Sequence, residues 1–232
     1  MTIDVRIGWR QRVPGWSLFR AVVVWGGVRG SASLYFRCFH KLRHAGLEHI
    51  PPDGPLVIVA NHVSHLDPPL IGGVIGRRRA VAFMARHTLF DRRWFGAFIR
   101  YLGAFPVNRD ARGSDAIREA VARVRAGHAG LIFPEGTRQL QDEVGAFKSG
   151  FLLLVRRTNA SVIPVGIHGT FDAWPKGASR PSPGRAVSIA VGPPVSADEL
   201  LALEPQAAAD LVRERVAGLK AAAKQLHASD RA

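Results

Sequence analysis

Apolar and polar positions divide the chain into a long apolar opening and an alternating remainder. Residues 16–39 are apolar and aromatic, interrupted by Arg20, Arg29 and Arg37. The cleanest run, residues 21–27, is far shorter than the roughly 20 residues that cross a bilayer. It reads as an apolar helix pair, split near Gly26-Gly27 and Gly30 and carrying Trp16, Trp25, Tyr35 and Phe36. Leu56–Ala60 then follows the turn cluster Pro51-Pro52-Asp53-Gly54-Pro55 and predicts a buried strand. Residues 80–85, 103–107, 131–133, 162–167 and 186–191 predict five more. Pro164 either moves its strand to an edge or marks a break in the ladder. Ser114 is placed to cap a helix with Ile117, Val121 and Val124 on one face, ended by Gly127 or Gly130. Residues 148–157 predict a buried helix. Ser196-Ala197-Asp198-Glu199 is a capping box ahead of a helical segment with Leu211, Val212, Val216 and Leu219 on one side and Arg215 beside them.

Strands alternating with helices predict an α/β single-domain sandwich: a largely parallel or mixed sheet flanked by helices, plus an N-terminal membrane-associated helical segment. The expected division is residues 1–45 as the membrane-seating segment and residues 46–232 as the α/β domain. A length of 232 residues with 47% hydrophobic content fits one sizeable core and excludes a disordered class. No small-residue cleavage site follows a clean apolar core, which argues against a secretory signal. Aromatics mixed with arginines suit a helix lying in a membrane interface. The plainer reading is that these helices only cover one side of the core.

Charge widens the list of partners without choosing among them. The formal net charge is +14, which favours anionic lipid surfaces, nucleic acid or an acidic carrier protein. No nucleic-acid-binding module is recognisable, so nucleic acid is not an expected partner. The lone cysteine, Cys38, excludes an intrachain disulfide and a thiolate zinc site and is expected to be a small buried residue.

Two loops that follow apolar strands carry the candidate chemistry. In Asn61-His62-Val63-Ser64-His65-Leu66-Asp67, a histidine stands five positions before an aspartate. A histidine takes a proton from a hydroxyl near neutral pH, and a carboxylate on its other ring nitrogen fixes the tautomer. Asn61 and Ser64 are suited to bonding backbone groups and shaping the turn. Alone this pair is weak, because Asp67 could simply cap a helix. Phe133-Pro134-Glu135-Gly136-Thr137-Arg138 is the more specific string. Gly136 lets the backbone turn and approach a ligand, and Arg138 presents a fork of donors suited to phosphate. Glu135 could bond a substrate hydroxyl or hold Arg138. Arg86 and Arg109 end two further strands, and three arginines could converge on one phosphate. Arg77-Arg78-Arg79 reads instead as a membrane- or carrier-facing loop. No nucleophile elbow, Walker loop, dinucleotide fingerprint or zinc-hydrolase spacing is present, so neither a covalent intermediate, nor a metal, nor a cofactor is expected.

These blocks resemble those of the glycerolipid acyltransferases related to 1-acyl-glycerol-3-phosphate acyltransferase. Residues 61–67 resemble its NHxSxxD block and residues 103–109 its second block. Residues 133–138 match FPEGTR in full, followed by Phe147-Lys148-Ser149-Gly150. Residues 162–167 resemble the last block, with Pro164. The resemblance implies His62 as base and Asp67 as its orienter. It implies a substrate site of Arg109, Glu135, Gly136, Thr137 and Arg138, with Arg86 where relatives often carry lysine. It implies acyl-CoA or acyl-carrier protein as donor and lysophosphatidic acid as acceptor. The implied location is peripheral or monotopic on the cytoplasmic face of the cell membrane, against an anionic lipid surface. A lyso-ornithine lipid, another lysophospholipid or glycerol 3-phosphate would suit the same blocks. A non-catalytic basic membrane-binding protein is the alternative of another class.

Overall fold

The computed structural model describes residues 26–101, 103–107 and 114–228. Seven strands form one mixed sheet: β1 (Arg43–Ala45), β2 (Leu56–Ala60), β3 (Val81–Arg86), β4 (Ala104–Val107), β5 (Ala129–Ile132), β6 (Ser161–His168) and β7 (Ser188–Val191). Their spatial order is β1-β7-β6-β2-β5-β3-β4. From β6 to β4 every pairing is parallel, whereas β6 and β7 are antiparallel and β7 is parallel to β1. The carboxyl ends of β2, β3, β5 and β6 therefore lie together with the start of β1.

Helices cover both faces. On one side lie α1 (Gly26–His40), α2 (Asp67–Val74) and α3 (Arg93–Tyr101), packed over Leu56, Ile58 and Ala60. On the other lie α4 (Ser114–Arg125), α5 (Phe151–Thr158), the short α7 (Ala197–Leu201) and the long α8 (Pro205–Gln225), packed over Val57 and Val59. One-turn α6 (Thr170–Ala173) follows β6. Burial on both faces explains why β2 reads as an unbroken apolar run. The six expected strands are present within two residues at most ends. The sequence reading missed β1, which has three residues and no apolar run. It exists because the sheet edge at β7 accepts it, in register from Arg43↔Ser188 to Ala45↔Ala190.

Several expectations need correction. Pro164 does not move its strand to an edge: β6 is interior, between β2 and β7. The alternative reading, a break in the ladder, describes what happens there. β7 ends at Val191, Gly192 donates to the Pro164 carbonyl at 2.9 Å, and pairing resumes out of register at Val162↔Val195. The N–H that proline lacks falls at this irregularity. Gly30 does not split α1, which runs on to His40. Phe36 is buried and Ser33 Oγ donates to the Gly73 carbonyl at 2.7 Å, so residues 33–36 seat α1 on α2 and the core. With β1 in the sheet, residues 32–45 pack as part of the α/β unit. Trp16, Trp25 and the rest of residues 1–25 lie outside the described residues. Cys38 is exposed on the outer side of α1. Arg79 is not a surface-loop charge. It is buried, and its guanidinium donates to the carbonyls of Pro51, Asp53, Gly54 and Gly127, which ties together the opposite end of the sheet from the two motif loops.

Helix ends follow local chemistry. Gly127 (φ 91°) ends α4, with Gly127 and His128 donating back to Val124 and Arg123 at 3.0 Å. Ser196 caps α7 by accepting from the Glu199 N–H at 3.1 Å, and Pro205 then opens α8. Helix α8 lies close on β6 because Gly166 has no side chain: a Cβ there would stand 2.1 Å from the Lys220 nitrogen.

This contact gives a test with its own control. Gly166→Ala should lower unfolding free energy by about 3 kcal/mol, since a backbone must move. Gly218→Ala, in the same helix with open space around it, should raise it by roughly 0.5–1 kcal/mol. Urea denaturation of both variants checks this, and equal effects would contradict the packing described.

Candidate active site

The loop after β2 is built around Asp67, the first residue of α2 and fully buried. Its Oδ2 accepts three hydrogen bonds of 2.8 Å, from His62 Nδ1 and from the N–H groups of Val63 and Ser64. Asp67 therefore does more than cap a helix, because it holds the histidine through its side chain and the loop through its backbone. With Nδ1 donating to the carboxylate, Nε2 is the ring atom left to accept a proton. The His62 side chain is 18% exposed, so it can be reached. Ser64 Oγ accepts from the Leu66 N–H and donates to the Trp174 carbonyl at 2.7 Å. Asn61 pairs its amide with both backbone groups of Ile167, at 2.8 and 3.1 Å, joining the ends of β2 and β6.

The loop after β5 lies against the first. The Phe133 ring stacks on the His62 imidazole, with centroids 4.1 Å apart and planes 18° apart. Glu135 Oε1 accepts from the His62 N–H at 3.3 Å, and the Gln139 N–H donates to the His62 carbonyl at 2.9 Å. Glu135 is thus turned to the His62 backbone rather than to Arg138. Gly136 turns the chain at φ 74°, and Lys148 Nζ would stand 3.5 Å from a Cβ placed there. Gly136 and Thr137 are exposed and Arg138 is half-buried. Arg138 Nη1 is buried with no partner among the described residues, and so is Glu135 Oε2. Burial holds the Arg138 guanidinium below its ordinary value, while the Asp67 charge acts in the opposite sense.

Of the residues proposed from sequence, the structure brings together His62, Asp67, Glu135, Gly136 and Arg138, with Thr137 on the same turn. Arg86 ends β3 at the same end of the sheet and is exposed. Arg109, and with it the expected convergence of three arginines, lies outside the described residues. Four features were not foreseen. Phe133 stacks on the histidine. His65 lies 5.2 Å from the Trp174 ring. Lys176 Nζ donates to the Arg138 carbonyl at 3.2 Å. Lys220, almost fully buried in α8, donates to Asp142 Oδ1 at 2.6 Å and to its carbonyl at 2.7 Å, with His168 Nδ1 3.7 Å from Oδ2. Only the aromatic at position 133 was a usable signal, being the residue where a strand meets the motif. The rest are long-range contacts that no spacing encodes.

A base on a carboxylate, a stacked ring and a neighbouring cation are together able to take a proton from a hydroxyl and to receive an anionic group. The family model for acyltransferases matches residues 41–168, and the chain belongs to the acyltransferase family. A chloroplastic 1-acyl-sn-glycerol-3-phosphate acyltransferase, LPAT1 of Arabidopsis thaliana, is 30% identical over 149 residues, covering 63% of this chain and 41% of that protein. The 1-acyl-sn-glycerol-3-phosphate acyltransferase of Bacillus subtilis is 29% identical over 123 residues, covering 53% of this chain and 60% of its own length. The match thus takes in only part of each of these relatives. The crystal structure of PlsC, the 1-acyl-sn-glycerophosphate acyltransferase of Thermotoga maritima, superposes with a TM-score of 0.73 at 30% identity, covering 88% of this chain and 80% of that one.

The Glu135 carboxyl gives a pH test. Burial pushes it up to about 7 from 4.5, against the pull of hydrogen bonds from Gln139 and from the His62 and Gly145 backbone. Between those values the folded chain holds a proton that the unfolded chain has released. The stability this proton contributes is full below 4.5 and is lost as pH rises through about 7. Glu135→Gln should remove that slope, so the variant should gain on the parent by up to about 3 kcal/mol across the window. Denaturation curves measured below and above the window check this. A constant difference would place Glu135 in a wetter setting than described.

Proposed function

We propose that the chain is a 1-acyl-glycerol-3-phosphate O-acyltransferase. It moves a fatty acyl group from acyl-CoA or acyl-carrier protein to the free hydroxyl of lysophosphatidic acid, giving phosphatidic acid in phospholipid biosynthesis. The observation that carries the reading is the 2.8 Å bond from His62 Nδ1 to buried Asp67, in a loop stitched to the one bearing Arg138. The names of the relatives and of the structural neighbour support the choice of acceptor.

The mechanism follows from the geometry. Nε2 of His62 takes the proton of the acceptor hydroxyl as its oxygen attacks the thioester carbonyl carbon. Asp67 stabilises the imidazolium and keeps the ring from turning. The tetrahedral intermediate collapses, the C–S bond breaks, and the thiolate leaves with the proton that His62 returns. One C–O bond replaces one C–S bond, and no covalent enzyme intermediate is needed. The half-buried guanidinium of Arg138 binds the acceptor phosphate, and the exposed Gly136-Thr137 turn lets that phosphate approach the backbone. Glu135, whose Oε1 accepts from the His62 N–H, holds the two loops together. Arg86 adds positive charge at the end of β3, and Arg109 of the second motif is assigned to the same substrate site. The protein works as a peripheral or monotopic protein on the cytoplasmic face of the membrane, where both apolar chains reside. No helix among the described residues is long and apolar enough to cross a membrane.

His62→Ala should lower kcat about a thousandfold or more, and Asp67→Asn by about 10³–10⁴. The assay is acyl transfer in mixed micelles with lysophosphatidic acid, glycerol 3-phosphate and a lyso-ornithine lipid in parallel. Retained transfer in His62→Ala would overturn the base assignment. His62-dependent transfer to another acceptor alone would change the substrate and leave the chemistry.

Arg138→Ala should raise the acceptor KM more than it lowers kcat, because the phosphate is bound alike in ground and transition states. An unchanged KM would remove Arg138 from the phosphate site.

A further inference from the structure

The segment from His87 to Trp94, which joins β3 to α3 and opens that helix, is exposed for its composition. Arg86 to Leu89 and Asp91 to Trp94 all face solvent. Trp94 is 72% exposed and Leu89 is 40% exposed, while Phe90 and Phe95 turn inward to the core. The inward pair, with Gly96 packed on the Phe90 backbone, makes the outward presentation of Leu89 and Trp94 a fixed feature of the fold. Arg92 and Arg93 flank them against a single acid, Asp91.

Topology places this segment at the working end of the sheet. It leaves the carboxyl end of β3, and β3 runs parallel to β5, whose following loop carries Arg138. Helix α1 arrives at the same end: the Phe39 and His40 carbonyls accept from Gly184 and Val187 in the loop between β6 and β7. Phe39 is 53% exposed there. The α1–α2–α3 layer thus shows apolar side chains at the end where His62 is reached.

We infer that the Leu89–Trp94 segment is a membrane-docking surface, distinct from residues 1–25, that seats the mouth of the site on an anionic bilayer. An indole with its neighbouring leucine suits the interfacial zone, where an amphipathic ring lies between acyl chains and headgroups. Two adjacent arginines bind anionic headgroups and supply the charge complementarity that chooses this occupant. A carrier protein would also answer to the arginines, but it gives no reason for an apolar pair held outward beside them. The inference draws on the acyltransferase reading only for the orientation of the site toward lipid.

The test uses the full chain, without turnover, in co-sedimentation with phosphatidylcholine vesicles with and without phosphatidylglycerol. Leu89→Ser/Trp94→Ser should weaken partitioning about tenfold on both kinds of vesicle. Arg92→Gln/Arg93→Gln should weaken it only where phosphatidylglycerol is present. Since these side chains are exposed, thermal melts should match the parent, and a matched melt with lost binding supports the surface. Unchanged partitioning in both double variants overturns it. Loss of acyl-carrier-protein binding with vesicle binding intact also overturns it and makes the face a protein dock. A second readout separates this inference from the activity. If transfer occurs, Leu89→Ser/Trp94→Ser should match the parent on a short-chain lysophosphatidic acid kept below its micelle concentration and fall behind on vesicle-embedded acceptor. If no transfer occurs at all, the proposed activity fails while the partitioning result still stands or falls alone.

Discussion

One oxygen atom, Asp67 Oδ2, organises the end of the sheet where the chemistry is placed. It accepts from an imidazole nitrogen and two backbone N–H groups at once, each at 2.8 Å. A carboxylate with no solvent exposure is costly unless its lone pairs are used. Here three bonds to Oδ2 offset part of that cost by fixing a ring and a turn together, while Oδ1 is buried with no partner among the described residues. Placement at the head of α2 adds the favourable end of the helix dipole. Removing this acid would leave two buried N–H groups without an acceptor and the histidine free to turn, so structure and reactivity share one interaction.

The second loop depends on the first. Its contacts with His62 run through the backbone at both the N–H and the carbonyl, and through the stacked Phe133 ring. Arg138 is therefore held relative to His62 by several independent contacts. Farther out, Lys220 of α8 grips Asp142, a few residues past Arg138. Helix α8 can reach it because Gly166 lets the helix lie close on β6. A chain of close contacts thus links the C-terminal helix to the loop that shapes the site. Truncating Asp142, which is itself exposed, would leave the nearly buried Lys220 charge without its carboxylate partner.

Much of this was legible in the sequence where the signal is local. Apolar runs gave β2, β3, β5 and β6, because a strand covered on both faces cannot hide its composition. The capping box at Ser196 was readable for the same reason, its bond spanning three residues. The His62–Asp67 pairing was foreseen as a relation, since five positions in one turn suffice to close it. What was not legible depended on distant partners. Three-residue β1 exists through β7. Arg79 looked like one of three surface arginines until the carbonyls of Pro51, Asp53, Gly54 and Gly127 surrounded it. Cys38, expected inside, faces out because Phe36 and Ser33 take the inward positions of α1. Glu135 had two readings from sequence, and its bond to the His62 backbone followed neither.

The most direct test of the central claim is the tautomer of His62, read from the ¹⁵N shifts of its ring nitrogens in selectively labelled protein, with the ring neutral. The expected result is a protonated Nδ1 and a bare Nε2, with that preference lost in Asp67→Asn. A protonated Nε2 in the parent protein would mean that Asp67 does not set the base, and the mechanism built on it would fail.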